Sequence, residues 1–209
     1  QEVKDLLPQH GAVLTGGHFV YKAGDHGDAY VAKDALFPFP DTMELLANTI
    51  AERHESARVQ VVTGAAMGGA ILAQHVGRAF WHKPGERVHT PFIDKDGDDL
   101  VIRRDYGRFF DSKRVLVVED IINSGKTARR AGELVHEAGA SFIMVMALVN
   151  RGGVTAAQIG APLVSLLDVT LNHYPATDPC PLCQADVPIN TEFGHGRQFL
   201  AKRAAAAGA

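Results

Sequence analysis

The sequence predicts an α/β fold on a doubly wound parallel sheet, with a small hood assembled from the chain termini. Three features carry that prediction. RVLVVED, Arg114 to Asp120, is apolar without alternation, so both of its faces need cover, as in a parallel sheet. Strand-like runs alternate with helical periodicity over residues 59–168. Glycine-rich turns follow two of these strands, and right-handed crossovers would set such loops at the carboxyl ends of the strands.

The elements follow in order. Residues 1–40 are expected to form the hood's first segment, because GG, AGDHGDAY and FPFP within 11–40 suit short strands and turns rather than a βαβ unit. From Asp41 to Ser56, Leu45, Leu46, Thr49 and Ile50 repeat at helical spacing, with Asp41 as the expected cap and Glu44 at the capping-box position. VQVVT (59–63) reads as a strand, followed by a glycine-rich turn and a helical stretch from Gly69 to Phe80. VHTPFID reads as a strand, and the polar segment Asp94 to Asp111 holds only the apolar island LVI. After the Arg114–Asp120 strand, NSGKT leads into a helix ending near Gly139; SFIMVMALVN and PLVSLLD then supply two more buried strands. The core is thus expected over 41–171. Residues 172–209 form an extension: proline-rich NHYPATDPCPLCQADVPIN, then a helix from Arg197 to Arg203 that frays at its Ala-rich end.

Composition bounds the function. The chain has 209 residues, of which 46% are hydrophobic and 22% charged, enough for one sizeable core and incompatible with global disorder. A net charge of −3 argues against a broad nucleic-acid or polybasic membrane surface, although a local basic patch survives that argument. No apolar run approaches the roughly 20 residues a membrane helix needs, and QEVKDLLPQH lacks a signal-peptide core. With two cysteines, this points to a reducing compartment, the cytoplasm.

The strongest chemical signal is VLVVEDIINSGKT, Val115 to Thr127. Two acids end a buried strand, and Ser124, Gly125, Lys126 and Thr127 open a helix. Such a turn aims backbone amides at one spot and adds the helix dipole, which makes a phosphate cradle. Glu119 and Asp120 would repel that phosphate, so they must face ribose hydroxyls or a magnesium ion. An ordinary strand–turn–helix junction is the bland alternative. A Walker A loop, GxxxxGK[ST], fails because its first glycine would fall at Asp120.

Two acids, two aliphatics and a Ser/Thr-Gly turn after an apolar strand resemble the signature of the type I phosphoribosyltransferases, which bind 5-phosphoribosyl-1-pyrophosphate (PRPP). The resemblance implies that family's fold, with Glu119 and Asp120 on the ribose 2- and 3-hydroxyls and residues 123–127 (Asn123, Ser124, Gly125, Lys126, Thr127) around the 5-phosphate. TGAAMGGAILA is similar to the family's pyrophosphate loop, in which Ala65, Ala66, Met67 and Gly68 would present amides; a small-residue turn that allows helix–sheet packing is the alternative.

Within the family, NSGKT is similar to the DTGKT turn of hypoxanthine-guanine enzymes, but Asn123 replaces the acid that moves a purine proton. A neutral amide bonds a base edge and is no general base. Other stretches resemble orotate phosphoribosyltransferase more. In GHFVYKAGDHGDAYVAKD, Lys22 matches a lysine that contacts pyrophosphate and Tyr30 an aromatic that covers the base, while Ala23 replaces a serine. ALVNRGG sets Arg151 where the orotate family recognises its carboxylated substrate, for which a guanidinium fork is well suited. The usual Lys-Asp-His-Gly of the mobile catalytic loop is reduced here to Lys95-Asp96-Gly97, with Arg103 and Arg104 following. Lys95 or Arg104, with Asp120, is the expected catalytic set, one cation meeting charge on the departing pyrophosphate. The resemblance further implies Mg²⁺ bound with PRPP and a homodimer. A purine phosphoribosyltransferase and a non-catalytic PRPP-sensing regulator remain the alternatives.

Cys180-Pro-Leu-Cys183 looks like half of a zinc knuckle. A tetrahedral site needs four ligands, and His173 and His195, with His195 the expected one, would complete it in a zinc-stabilised lid. Two unligated thiols packing a loop are the equal alternative, with a redox pair third.

Overall fold

Val115 to Val118 are four consecutive fully buried residues at the centre of a parallel sheet in the computed structural model, which describes residues 3–81, 87–169 and 171–207. In chain order the elements are α1 (Val3–Gln9), β1 (Val13–Val20), β2 (His26–Val31), α2 (Pro40–Arg53), β3 (Val61–Thr63) and α3 (Ala66–Trp81). Then come β4 (Asp94–Asp96), β5 (Asp99–Val101), β6 (Arg114–Ile122), α4 (Lys126–Glu137), β7 (Phe142–Asn150) and α5 (Ala156–Ile159). The chain finishes with β8 (Leu163–Asp168), β9 (His173–Tyr174), α6 (Pro181–Gln184) and α7 (Gly196–Ala207). It divides into two compact units, one of residues 1–4 and 36–169, the other of 5–35 and 170–209.

The larger unit holds the sheet, in the order β3-β6-β7-β8, all pairs parallel. Residues 89–93 run beside β3 on its other side, through parallel bridges Val61↔His89 and Ala65↔Ile93. The stretch expected as a full strand is cut to these bridges, since Pro91 lies within it and has no amide to donate. The chain therefore leaves β3 to one side and returns as β6 on the other. Their carboxyl ends form the topological switch point, where open α/β sheets bind ligands.

Alternation along β6 and β7 divides the sheet's faces. Val115, Val117, Val145 and Ala147 join Ala128, Ala131 and Val135 of α4 in one core cluster. α3 packs on β3 and β6, and α2 packs on α3. The helix expected at Asp41 starts instead at Pro40, with Phe39 as its uncapped flank, so Asp41 sits in the first turn and acts only through the dipole. α3 begins at Ala66, earlier than the expected Gly69. The segment expected as a polar loop contains the hairpin β4–β5, in register Asp96↔Asp99 across a two-residue Gly-Asp turn. β8, expected to be fully buried, is an edge strand, with Val164 36% exposed.

His75 on α3 is held below the usual imidazole range by burial first, then by the charge of Arg78. The unfolded chain takes that proton before the native one, so stability falls as pH drops from 6.5 towards the lowered native value. Thermal melts at about pH 7.5 and about pH 5.5 should show a lower Tm in acid, and a smaller difference in His75→Gln.

The smaller unit is an antiparallel sheet in the order β1-β2-β9, with an irregularity between Thr15 and Phe19. Its C-terminal stretch lies along β1, where the amides of Asn190 and His195 donate to His18 and Val20, both at 2.8 Å. α7 begins at Gly196, one residue before the expected start, and remains helical through Ala207; the last two positions of the expected frayed end lie outside the described residues. No helix among the described residues is long and apolar enough to cross a membrane.

Candidate functional site

The carboxyl end of β6 carries two buried acids, Glu119 at 5% and Asp120 at 6% exposure. The Asp120 carboxylate accepts the Ile121 amide at 2.7 Å, which fixes its rotamer. Across the switch point, α3 brings Gly68 against it: a Cβ on Gly68 would lie 1.7 Å from Asp120 Oδ2. Only a residue without a side chain fits there, so the β3–α3 turn and the acid pair form one site.

Beyond the acids the chain turns through Asn123, Ser124 and Gly125 into α4. Gly125 has φ 75°, and no side chain caps the helix, so its first amides face outward. With Glu119, Ile121, Ile122 and Ala128 the loop Asn123–Thr127 lines a cavity of about 100 Å³. A small cup of backbone amides at a helix N-terminus suits a phosphate group. A larger cavity, about 640 Å³, lies beside α4 among His136, Ala140, Ile143 and Pro162 and holds none of the acid or loop residues. Chemistry and topology favour the smaller one.

The loop after β7 supports the cradle from the side. Arg151 and Gly152 donate their amides to the Ile122 carbonyl at 2.8 and 3.3 Å. The Arg151 Nε donates to Asn123 Oδ1 at 3.4 Å, which brings the two expected base-binding side chains together. Two residues not anticipated from the sequence hold this arrangement. Asn150, buried at 6%, donates Nδ2 to the Val154 carbonyl at 2.9 Å and accepts the Val154 amide at 3.1 Å, clamping the loop between them. Gly152 packs against Asn123 so closely that a Cβ would lie 1.6 Å from its carbonyl oxygen. The NRGG run after a strand was the available signal.

Other expected contacts are altered. The Ala66 amide, expected to face pyrophosphate, donates instead to the Ile93 carbonyl at 3.1 Å, because residues 89–93 pair alongside β3. Ala65 is buried in the bridge to Ile93, and Ala66 takes φ 55°, a left-handed conformation costly for a residue with a side chain. Met67 and Gly68 lie in the first turn of α3, where amides lack intrahelical acceptors. Arg104 pairs with Asp94 and lies 5.0 Å over the Phe92 ring, while Arg103 pairs with Asp96 at 3.0 Å. Lys95 is exposed on β4. The hairpin is anchored on α4 by Arg130 to Asp99, 2.9 Å, a bond that lowers the Asp99 carboxyl below its usual range.

In the smaller unit, Lys22 is exposed in the β1–β2 turn. Tyr30 stacks on Phe19 at 5.7 Å and lies 5.9 Å from Phe193. Cys180 and Cys183 are free thiols. Neither histidine expected beside them is there: His195 is exposed and acts through its backbone, and His173 Nε2 donates to the Asp25 carboxylate at 3.0 Å. His18 and His26 occupy that place instead.

Comparison with known proteins accords with this geometry. The family model described as "phosphoribosyl transferase domain" matches residues 34–162. The orotate phosphoribosyltransferase of Thermotoga maritima is 31% identical over 195 residues, 93% of this chain and 98% of that protein. The enzyme of the same name from Caldanaerobacter subterraneus subsp. tengcongensis is 30% identical over 177 residues, 85% and 88% of the two chains. Among solved structures, Mycobacterium tuberculosis orotate phosphoribosyltransferase in complex with PRPP superposes with a TM-score of 0.55, covering 67% of this chain and 81% of its own, at 23% identity. At that identity the likeness speaks for the fold alone.

Proposed function

The chain belongs to the phosphoribosyltransferase family, and from that premise we propose that it transfers phosphoribose from PRPP to orotate, giving orotidine 5′-monophosphate and pyrophosphate. One observation carries the reading. A buried acid pair and an uncapped helix N-terminus share the switch point, and Arg151 and Asn123 meet at its rim. The amides of Asn123–Thr127 bind the 5-phosphate, and Glu119 and Asp120 bind the ribose hydroxyls. Met67 and Gly68 offer amides to the pyrophosphate.

Arg151 supplies the charge and the fork that a carboxylated pyrimidine requires. As the bond from the ribose to pyrophosphate breaks, the orotate nitrogen bonds to the oxocarbenium-like ribose and releases its N–H proton to the departing pyrophosphate or to water, so the protein need not supply a strong general base. Asn123 then only has to orient the base edge, which agrees with an amide at that position. Lys22 and Tyr30 keep the roles the family resemblance assigns them, a cation for pyrophosphate and an aromatic for the base. Lys95 or Arg104 meets leaving-group charge, which for Arg104 requires release of Asp94.

The two buried carboxylates are hard oxygen donors and suit a magnesium ion arriving with PRPP. When bound, that ion neutralises pyrophosphate charge. A homodimer working in the cytoplasm completes the reading, supported by the family resemblance for the dimer and by a sequence with only two cysteines for the compartment.

The test is nucleotide formation from PRPP across orotate, uracil, hypoxanthine, guanine and adenine, with pyrophosphate release measured. Orotate turnover alone is expected. Hypoxanthine turnover would reassign the substrate, and PRPP binding without turnover would make the protein a sensor. Arg151→Ala should lower kcat/KM for orotate by roughly 10–100-fold, the worth of charge-assisted hydrogen bonds, and leave PRPP affinity nearly unchanged.

A further inference from the structure

His18 and Val20 lie on the same face of β1, and Val20 pairs directly with His26 on β2. The two imidazoles therefore point to one spot, with His18 Nε2 and His26 Nδ1 2.7 Å apart. Cys180 and Cys183 flank the first turn of α6 and deliver both sulfurs to the same place. Cys183 Sγ lies 3.4 Å from His26 Nδ1 and 3.7 Å from His18 Nε2, and Cys180 Sγ lies 3.8 Å from His18 Nε2. All four ligand atoms fall within 4.8 Å of one another.

We propose that His18, His26, Cys180 and Cys183 form a tetrahedral structural zinc site. Zinc bonds of about 2.3 Å to sulfur and about 2.0–2.1 Å to nitrogen place neighbouring ligands about 3.3–3.8 Å apart. The three sulfur–nitrogen separations already lie in that range. The nitrogen pair must open by about 0.6 Å, a small rotation of either ring. The tautomer is set as well: His18 Nδ1 lies 2.8 Å from the Val187 carbonyl and donates to it, which leaves the Nε2 lone pair aimed at the centre. Phe199 packs on His26 in a T-shaped contact, with ring centroids 4.9 Å apart. Two thiolates with two neutral imidazoles select zinc over hard cations such as magnesium.

The site also answers a structural need. The smaller unit has about 70 residues drawn from two distant stretches of chain, a size at which a core alone is marginal. Zinc would join strands near its beginning to a helix near its end, closing a loop of more than 150 residues.

The experiment is metal analysis of untagged full-length protein purified in reductant and dialysed free of loose ions. About one zinc per chain is expected, falling below about one tenth in Cys180→Ser/Cys183→Ser and staying near one in His195→Ala. Chelated wild type should bind cobalt(II) with the visible spectrum of a tetrahedral thiolate site, a measurement that stands even if the serine variant does not fold. The proposal is overturned by wild type with reduced thiols that carries no zinc and takes up no cobalt. It is overturned equally by a metal-free Cys180–Cys183 disulfide, by full zinc in the serine variant, or by loss of zinc in His195→Ala.

Discussion

Replacing Glu119 and Asp120 together by their amides should cut kcat/KM for PRPP by roughly 10²–10⁴-fold, with the fold intact. Each acid is expected to accept a hydrogen bond from a ribose hydroxyl, and a hydrogen bond to a charged acceptor contributes about 1.5–3 kcal/mol. In the proposed function the pair holds the ribose whose carbon becomes positive as pyrophosphate departs, so its charge should matter more in the transition state than in the bound substrate. Amides keep the shape. Asn at 120 still accepts the Ile121 amide, which Asp120 Oδ1 takes at 2.7 Å, so the strand end stays in place and only the negative charge is lost. Titration calorimetry of PRPP beside steady-state pyrophosphate release separates binding from turnover. Unchanged PRPP affinity in Asp120→Asn would remove the diol-binding role assigned to it.

The second large effect is steric and comes from a residue with no side chain, Gly152. Gly152→Ala would put a methyl group 1.6 Å from the Asn123 carbonyl oxygen and 2.6 Å from its carbon, both backbone atoms that no rotamer change can clear. Either the 151–154 loop or the phosphate cradle must shift by more than an ångström. The first is resisted by the Asn150 clamp on Val154, so the displacement falls on Asn123 and the amides after it. Phosphate recognition by aligned amides tolerates little misplacement, and a loss of PRPP affinity of about 10²-fold is expected. The destabilisation should be modest, about 1–3 kcal/mol or several degrees in Tm. Gly153→Ala is the control, since Gly153 has φ 60° but nothing within 4 Å of an added Cβ. It should cost about 1 kcal/mol in backbone strain and leave PRPP binding intact. Equal effects of the two substitutions would show that strain, not collision with the cradle, is responsible.

The parts of this chain that could be read in advance are those whose cause is local. RVLVVED had to lie inside a sheet because its apolar run leaves no face for water, and β6 has Val115–Val118 fully buried. The order acids, turn, helix puts Glu119, Asp120 and the SGKT amides at one strand end whatever surrounds them. The structure departs from the local pattern where a neighbour distant in sequence competes for a group. The Ala66 amide was available for a ligand until residues 89–93 came alongside it. Asp41 was a plausible cap until Pro40 set the helix start one residue earlier. The Asp94–Asp111 segment looked like a solvated loop because its charges hide a short hairpin whose one buried side chain, Leu100, reaches the core.

The cysteine pair marks the boundary most sharply. Two cysteines three positions apart announce a possible metal half-site through their spacing alone, and His173 and His195 were the natural partners by proximity in the chain. The register of a hairpin more than 150 residues away brings His18 and His26 there instead, and turns His173 towards Asp25. Short-range features such as apolar runs, turn residues and helix starts depend on bonds between near neighbours, so the linear order of side chains is enough to specify them. Which far residues meet depends on strand pairing and packing, where every contact is conditional on all the others. Gly152 against Asn123 and two imidazoles against two thiols exist only once that pairing is in place.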